Sequence, residues 1–391
     1  MEIEFWWLLA LPLFFVMGWL AARIDIRQIV HESRALPRSY LSGLNFLLNE
    51  QSDKAIDAFI EAVRIDPQTI ELHFALGSLF RRRGETDRAI RIHQLLVDRE
   101  DLSEEQRLQA LEELGQDFLK AGLLDRAEAV FLRLRGTRAD DRAARYLLEI
   151  YQQEKDWVKA VDIIRELPAH EDSHWQREIA NFYCELAVQA LADSRFEDAD
   201  AHIAAAIAAN RACVRASLIL GDIFAAQGKD EEALEAWKRI ENQAPAYLAL
   251  AAQRVMDAYR RLERVDQGQT LLRSWLERHP SLDLLDELFH WEIDQDGAQA
   301  AYELVREELR RNPTLLGLDK LLEAALLTAP VEHRGDIDLV KQLIHSHTRK
   351  VARYRCDTCG FKARQFYWRC PACGGWETYP PRRTEEFDLT P

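Results

Sequence analysis

The sequence predicts an all-α protein. A solenoid of paired helices carries a transmembrane helix at its N-terminus and a small metal-stapled module at its C-terminus. Three observations predict this. From about Arg38 to Pro313 the chain repeats with a period near 34 residues, as in the pairs Gly43 and Gly77 or Ala55 and Ala89. An uncharged apolar run, Phe5 to Ala22, precedes the repeats. Two C-x-x-C pairs, Cys356/Cys359 and Cys370/Cys373, follow them.

Composition sets the outer limits. A chain of 391 residues exceeds one ordinary core and suits several domains or a repeat array. A net charge of −15 and a pI near 5.3 exclude general affinity for nucleic acid. Of six cysteines, Cys184 and Cys213 lie in apolar-periodic surroundings and read as buried free thiols. Free thiols beside a thiolate metal site point to a reducing compartment.

The N-terminal run spans 18 residues, about 27 Å as a helix, close to the hydrocarbon thickness of a bilayer. Trp6, Trp7 and Trp19 lie toward its ends, where indoles favour the membrane interface. A secretory signal would place positive charge before the run, but Glu2 and Glu4 stand there. A buried core helix is rarely apolar all round and would not need three tryptophans. Arg23, Arg27, Arg34 and Arg38 follow the run and no basic residue precedes it, so the bulk of the chain is expected in the cytoplasm. The expected organisation is an anchor over residues 1–23, a connector over 24–37, repeats over 38–313, a capping helical pair over 314–350, and a metal-binding module with tail over 351–391.

Each repeat reads as two amphipathic helices, the first with a small residue at its middle and the second entered near an alanine. Unit one supplies Gly43, Phe46, Ala55, Phe59, Ala62 and Pro67; unit three supplies Leu114, Gly115, Phe118, Gly122, Ala127 and Phe131. Unit six supplies Leu220, Gly221, Phe224, Gly228, Ala233, Trp237 and Pro245. This resembles the tetratricopeptide pattern, which implies a right-handed solenoid. Other units depart from it: Leu148 and Phe289 stand where the small residue belongs, and the phase slips by four residues near Asp98 to Gln106, which reads as a longer loop. A groove lined by the first helix of each pair would bind peptides or protein surfaces, with Phe74, Ser78, Arg81 and Arg82 as candidates in unit two. Solvated turn residues are the simpler reading for Arg81 to Arg83. Trp157, Trp237, Trp275 and Trp291 sit at helical periods and read as core.

The cysteine pairs read as two halves of one tetrahedral site. A C-x-x-C turn aims both thiolates at one ion while backbone N–H groups donate to the sulfurs, and Gly360 and Gly374 stand where each knuckle bends back. Cys356, Cys359, Cys370 and Cys373 would leave no open coordination position, so the ion is structural. Two disulfides or a redox C-x-x-C fit two equally spaced pairs with trailing glycines less well. The halves resemble rubredoxin knuckles with a shorter spacer, and the ligand set allows iron or zinc. Residues 349–383 carry nine Lys or Arg against two acids. Contact with nucleic acid, attraction to anionic lipid and docking onto the acidic solenoid are alternative readings of that patch, and docking by charge complementarity is the expected one. Phe361, Phe366, Tyr367, Trp368 and Trp376 would form the core of the module. No phosphate loop, dinucleotide loop, nucleophile elbow or H-E-x-x-H motif occurs, and a repeat array with a closed metal site argues against an enzyme. His345 and His347 lie near a ligand set that four cysteines already complete, and read as an exposed helix end.

The order of anchor, repeats and knuckles, with the stretch CDTCGFKARQFYWRCPACGGWET, resembles the lipopolysaccharide assembly protein B family of Gram-negative bacteria. The resemblance implies a single-pass inner-membrane protein. It would act as an adaptor that promotes degradation of the lipid A deacetylase by the membrane AAA metalloprotease FtsH, and would also gather other lipopolysaccharide assembly proteins. A general membrane-tethered scaffold and a nucleic-acid-binding zinc-ribbon protein are the alternatives from other classes.

Overall fold

The computed structural model describes residues 15–17, 19, 38–49, 51–65, 69–168, 172–348 and 354–381. Its contacts separate two compact units, Met1–Glu154 and Lys155–Pro391. The first holds three helix pairs, α1 Arg38–Leu48 with α2 Ser52–Ile65, α3 Ile70–Arg83 with α4 Thr86–Val97, and α5 Glu104–Lys120 with α6 Leu124–Arg133, followed by α7 Asp140–Glu154. The second opens with α8 Trp157–Glu166. It continues with the pairs α9 Ser173–Ala192 and α10 Phe196–Ala209, then α11 Val214–Ala226 and α12 Asp230–Lys238. A short α13, Ile240–Gln243, and a 3-10 turn, Pro245–Tyr247, lead into α14 Ala249–Arg261 and α15 Val265–Arg278, then α16 Leu282–Gln295 and α17 Ala298–Arg311. The pair α18 Leu315–Thr328 and α19 Val331–Thr348 ends the helices, and a hairpin of β1 Tyr354–Arg355 and β2 Lys362–Ala363 opens the terminal module.

One packing rule runs through the repeats. The small residue of the first helix faces the residue sixteen positions on, in the second. A Cβ added at Gly43 would lie 2.9 Å from the Phe59 ring, and one at Gly115 would lie 2.7 Å from Phe131 Cζ. At Gly221 it would lie 2.5 Å from Trp237 Cε2. The aromatic therefore fills the volume that the glycine vacates. The departing units keep the same positions with other volumes. Met256 precedes Leu272 by sixteen and Phe289 precedes Val305, and all four are buried. Twelve residues after each mid-helix position comes a small residue: Ala55, Ala89, Ala127, Ala160, Ala199, Ala233, Gly268 or Ala301. The seven alanines of that series are fully buried. Helix pairs thus form around Met256 and Phe289 as they do around the glycines.

The phase slip resolves as a longer loop between α4 and α5. Ser103 ends it, accepting from Gln106 N while the Gln106 side chain accepts from Ser103 N, a capping box. Trp157, Trp237, Trp275 and Trp291 are all buried, as periodicity predicts.

The expected anchor over residues 1–23 lies outside the described residues, apart from Phe15, Val16, Met17 and Trp19, which are helical and exposed. Among the described residues no helix is long and apolar enough to cross a membrane. The connector over 24–37 also lies outside them.

Candidate metal centre and its seat on the helices

The terminal module is built from two similar knuckles. In the first, Gly360 N donates to Cys356 O at 2.9 Å and Cys356 N donates to Phe361 O at 2.8 Å. In the second, Gly374 N donates to Cys370 O at 2.9 Å and Cys370 N to Gly375 O at 2.9 Å. Gly360 and Gly374 have φ of +74° and +72°, the left-handed region that a residue without Cβ enters at little cost. The four Sγ atoms lie within 4.8 Å of one another. Cys356 and Cys373, like Cys359 and Cys370, have their sulfurs 3.7 Å apart. A tetrahedron with metal–sulfur bonds of about 2.3 Å has edges of about 3.8 Å, so the donor set fits one ion. Cys356 and Cys370 are buried, Cys359 and Cys373 exposed.

The thiols are polarised for that role. Burial opposes charge on Cys356, but the Thr378 hydroxyl, the backbone N–H groups of Cys359 and Thr358 and the Cys359 thiol outweigh it and lower its pKa to about 6. At Cys359 a backbone N–H of Phe361 favours the thiolate, but burial and the three neighbouring thiols together raise it to about 12. Four thiols this close resist carrying separate charges, and a cation removes that conflict. Thiolates suit iron and zinc alike.

The module's own core is small. Cys356, Cys370 and Tyr379 are buried, with Tyr354, Phe361, Ala363, Phe366 and Tyr367 around them. Tyr379 donates its hydroxyl to Tyr354 O at 3.1 Å. Of the five aromatics expected in this core, Trp368 and Trp376 face the helices instead, and Phe366 serves both sides. Trp376 is 4 % exposed and meets Trp157 and Phe182 edge-on at 6.1 and 6.0 Å between ring centroids. Trp368 stacks on Tyr247 at 5.6 Å. The Arg215 guanidinium lies over both indoles, 5.8 Å from Trp368 and 5.7 Å from Trp376, while Glu185 pairs with it at 2.8 Å.

Glu377 is the polar centre of the contact. Its Oε1 accepts from Asn181 Nδ2 at 3.1 Å and lies 3.6 Å from the Cys213 thiol. Its backbone O accepts from the Tyr247 hydroxyl at 3.3 Å. Burial raises its pKa above the usual carboxylate range, while Asn181, Cys213, Arg177 and Arg215 oppose the shift. Cys184 and Cys213 are buried and free, and their sulfurs lie 3.9 Å apart.

The described part of the contact is largely aromatic, whereas Arg349, Lys350, Arg353, Arg382 and Arg383 of the expected basic patch lie outside the described residues. Arg355, Lys362 and Arg364 are exposed. Carboxylates stand on both sides of the contact: Glu377 of the module faces Arg177 and Arg215, and Asp283 of α16 accepts from the Tyr354 hydroxyl at 3.3 Å. Dispersion, aromatic packing and a few hydrogen bonds hold the contact among the described residues.

The groove candidates of unit two separate. Phe74 is buried among Leu96, Leu102 and Ala110 and lines no groove. Ser78 donates to Glu113 at 3.3 Å. Arg81 spans Glu113 at 2.6 Å and Asp117 at 2.8 Å, so both residues tie α3 to α5. Arg82 is exposed beside Gln116, Lys120, Tyr146 and Glu149 in an open cleft. Sequence reasoning missed His93, which takes the place of the ring residue sixteen positions after Gly77 and bonds through Nδ1 to the buried Asp117 at 2.5 Å. The sixteen-residue spacing was the signal that could have found it. His345 is exposed at the end of α19, bonded to Asp319 at 3.1 Å.

Stacked helix pairs and a four-thiol knuckle module define the class: a tetratricopeptide-repeat protein carrying a rubredoxin-type module. A family model described as a rubredoxin metal binding domain matches residues 354–381, and tetratricopeptide repeat models match 72–107 and 184–247. Among curated proteins, lipopolysaccharide assembly protein B of Escherichia coli (strain K12) is 36 % identical over 381 residues, covering 96 % of this chain and 97 % of that one. The protein of that name from Haemophilus influenzae is 30 % identical over 395 residues, covering 97 % and 98 %. The chain belongs to the lipopolysaccharide assembly protein B family. Among solved structures, the C-terminal part of a repeat-containing protein from Cytophaga hutchinsonii aligns with a TM-score of 0.41 at 12 % identity, covering 64 % of this chain and 99 % of that one.

Proposed function

We propose that this chain is a non-enzymatic inner-membrane adaptor. It restrains lipopolysaccharide synthesis by presenting the lipid A deacetylase to the AAA metalloprotease FtsH, and it gathers other lipopolysaccharide assembly proteins beside them. The observation that carries the proposal is the match to relatives named lipopolysaccharide assembly protein B, which runs through repeats and knuckles alike over 96 % of the chain. Helix-pair arrays present extended surfaces suited to protein partners, which supports an adaptor.

In this proposal residues 1–23 anchor the chain, 24–37 connect, 38–313 bind partners, 314–350 cap the array, and 351–391 form the metal module. Cys356, Cys359, Cys370 and Cys373 hold one iron or zinc ion. Tethering adaptor and protease in one bilayer raises their effective concentration. The bulk of the chain faces the cytoplasm, so a reporter fused after Pro391 reads as cytoplasmic.

The test is the half-life of the lipid A deacetylase in cells that depend on this chain. Depletion lengthens that half-life when FtsH is present and has no effect when FtsH is inactive. An unchanged half-life, with assembly complexes dispersed, would replace this reading with that of a general scaffold.

A further inference from the structure

The two cysteines outside the knuckles form a second thiol cluster. Cys184 lies within α9 and Cys213 at the start of α11, 29 residues apart in sequence, and their sulfurs are 3.9 Å apart. Both are free and sealed from solvent, at 0 % and 1 % exposure. Ala180, Ala187 and Ala216 share their core, small neighbours that let the two helices approach closely. Among the described residues no third His, Cys, Asp or Glu joins the pair in a cluster fit for a metal ion, so its chemistry is that of a dithiol. A disulfide needs the sulfurs at about 2.05 Å, and closing by about 1.9 Å is within reach of side-chain rotation.

The metal module covers this pair. The Cys213 thiol donates to Glu377 Oε1 at 3.6 Å. While the module is seated, the Cys184 thiol, burial and the Glu377 carboxylate push the Cys213 thiol well up and keep it protonated, whereas the Ala216 N–H at the start of α11 pulls the other way. Lifting the module removes the burial and the carboxylate and leaves the N–H, which favours the reactive thiolate.

We propose that Cys184 and Cys213 are a redox-active dithiol guarded by the metal module, oxidised by a low-molecular-weight disulfide when the module lifts, and that the disulfide formed weakens reseating. The Cys213 thiolate attacks one sulfur of the small disulfide, and the other sulfur leaves as a thiolate. The Cys184 thiolate then attacks the Cys213 sulfur of the mixed disulfide and expels the second small thiolate. The two cysteines lose two electrons and two protons; the small disulfide gains both and departs as two thiols. Oxidised Cys213 has no S–H to donate, so Glu377 loses that donor and keeps Asn181. A buried acid short of a donor disfavours the seated module. The coupling is reciprocal: lifting promotes oxidation, and oxidation promotes lifting. In a reducing compartment such a disulfide is transient, which suits a signal.

The test uses the full, metal-loaded chain in detergent micelles, with glutathione disulfide as the oxidant and peptide mass spectrometry as the readout. Trp376→Ala, which unseats the module, is expected to form the Cys184–Cys213 linkage at least about tenfold faster than the wild type, because a reaction of the open state follows its population. Glu377→Lys, a second way of lifting the module, is expected to match it, and hydrogen exchange on the same samples shows that the module has lifted. Cys213→Ala, which has no donor, is expected to raise exchange in peptides of residues 354–381 about two- to tenfold, the worth of one hydrogen bond. Cys213→Ser, which restores a donor, is expected to return exchange to the wild-type level. Three results would overturn the proposal: linkages confined to the knuckle cysteines in both lifted variants, a Cys184–Cys213 linkage that forms as fast beneath a seated module, or a Cys213→Ala module that exchanges like the wild type.

Discussion

Trp376→Ala should release the terminal module from the helices without unfolding either. The indole is 4 % exposed and lies in a box of Trp157, Phe182 and Arg215. A tryptophan buries about 150–250 Å². At about 25 cal/mol per Å² this amounts to about 4–6 kcal/mol, and the chain's residual compactness when undocked reduces it. Truncation of buried aromatics elsewhere costs about 3–5 kcal/mol, so a loss of about 4 kcal/mol is expected. That lowers the docking equilibrium by about three orders of magnitude, at about 1.4 kcal/mol per factor of ten. Hydrogen exchange reads it directly. Peptides from Ser173–Ala192 and Val214–Ala226, which lie beneath the module, should exchange faster, while those of the first unit and the metal content stay as in the wild type. A loss below about 1 kcal/mol with the exchange pattern unchanged would refute the claim that this indole anchors the module.

Other substitutions probe separate links. Glu377 has a raised folded-state pKa, so its contribution to docking is fully present below the unfolded value of about 4.3 and is lost as pH rises through the raised value. Glu377→Gln mimics the protonated acid and keeps the acceptor for Asn181, so thermal melts should show docking at neutral pH no weaker than in the wild type, with less dependence on pH. Glu377→Lys should undock the module, because a cation would face Arg215 and Arg177. Gly221→Ala places a methyl 2.5 Å from Trp237 Cε2 and should cost at least about 1–3 kcal/mol in a urea titration. Cys356→Ser should release the ion and raise deacetylase levels on a blot, while helical circular dichroism stays near wild type, because each helix pair is held by its neighbours.

The repeats were legible because their signal is local. Ala55 and Phe59, or Ala233 and Trp237, sit at fixed offsets from one glycine, and every offset is shorter than one repeat. The knuckles were legible for the same reason: all four cysteines and both glycines fall within nineteen residues, Cys356 to Gly374. The seat of the module was not. Asn181 and Glu377 are 196 residues apart, and no periodicity links them. Charge counting over residues 349–383 pointed to electrostatic docking, yet a sum over the segment does not locate Glu377, a buried acid of the contact. Tyr354 and Tyr379 escaped notice for a similar reason: they flank the motif, and only the fold brings them over Cys356 and Cys370. Phe74 was placed in the groove because its spacing was read on one helix, whereas the loop after α4 carries Leu102 over it.

The account turns on the claim that four cysteines close around one ion and so fix the surface that grips the helices. X-ray absorption at the metal edge, on the full chain purified under reducing conditions, tests it most directly. The expected result is one ion per chain with four sulfur scatterers at about 2.3 Å. A first shell containing nitrogen or oxygen, or a metal content well below one per chain in active protein, would contradict it.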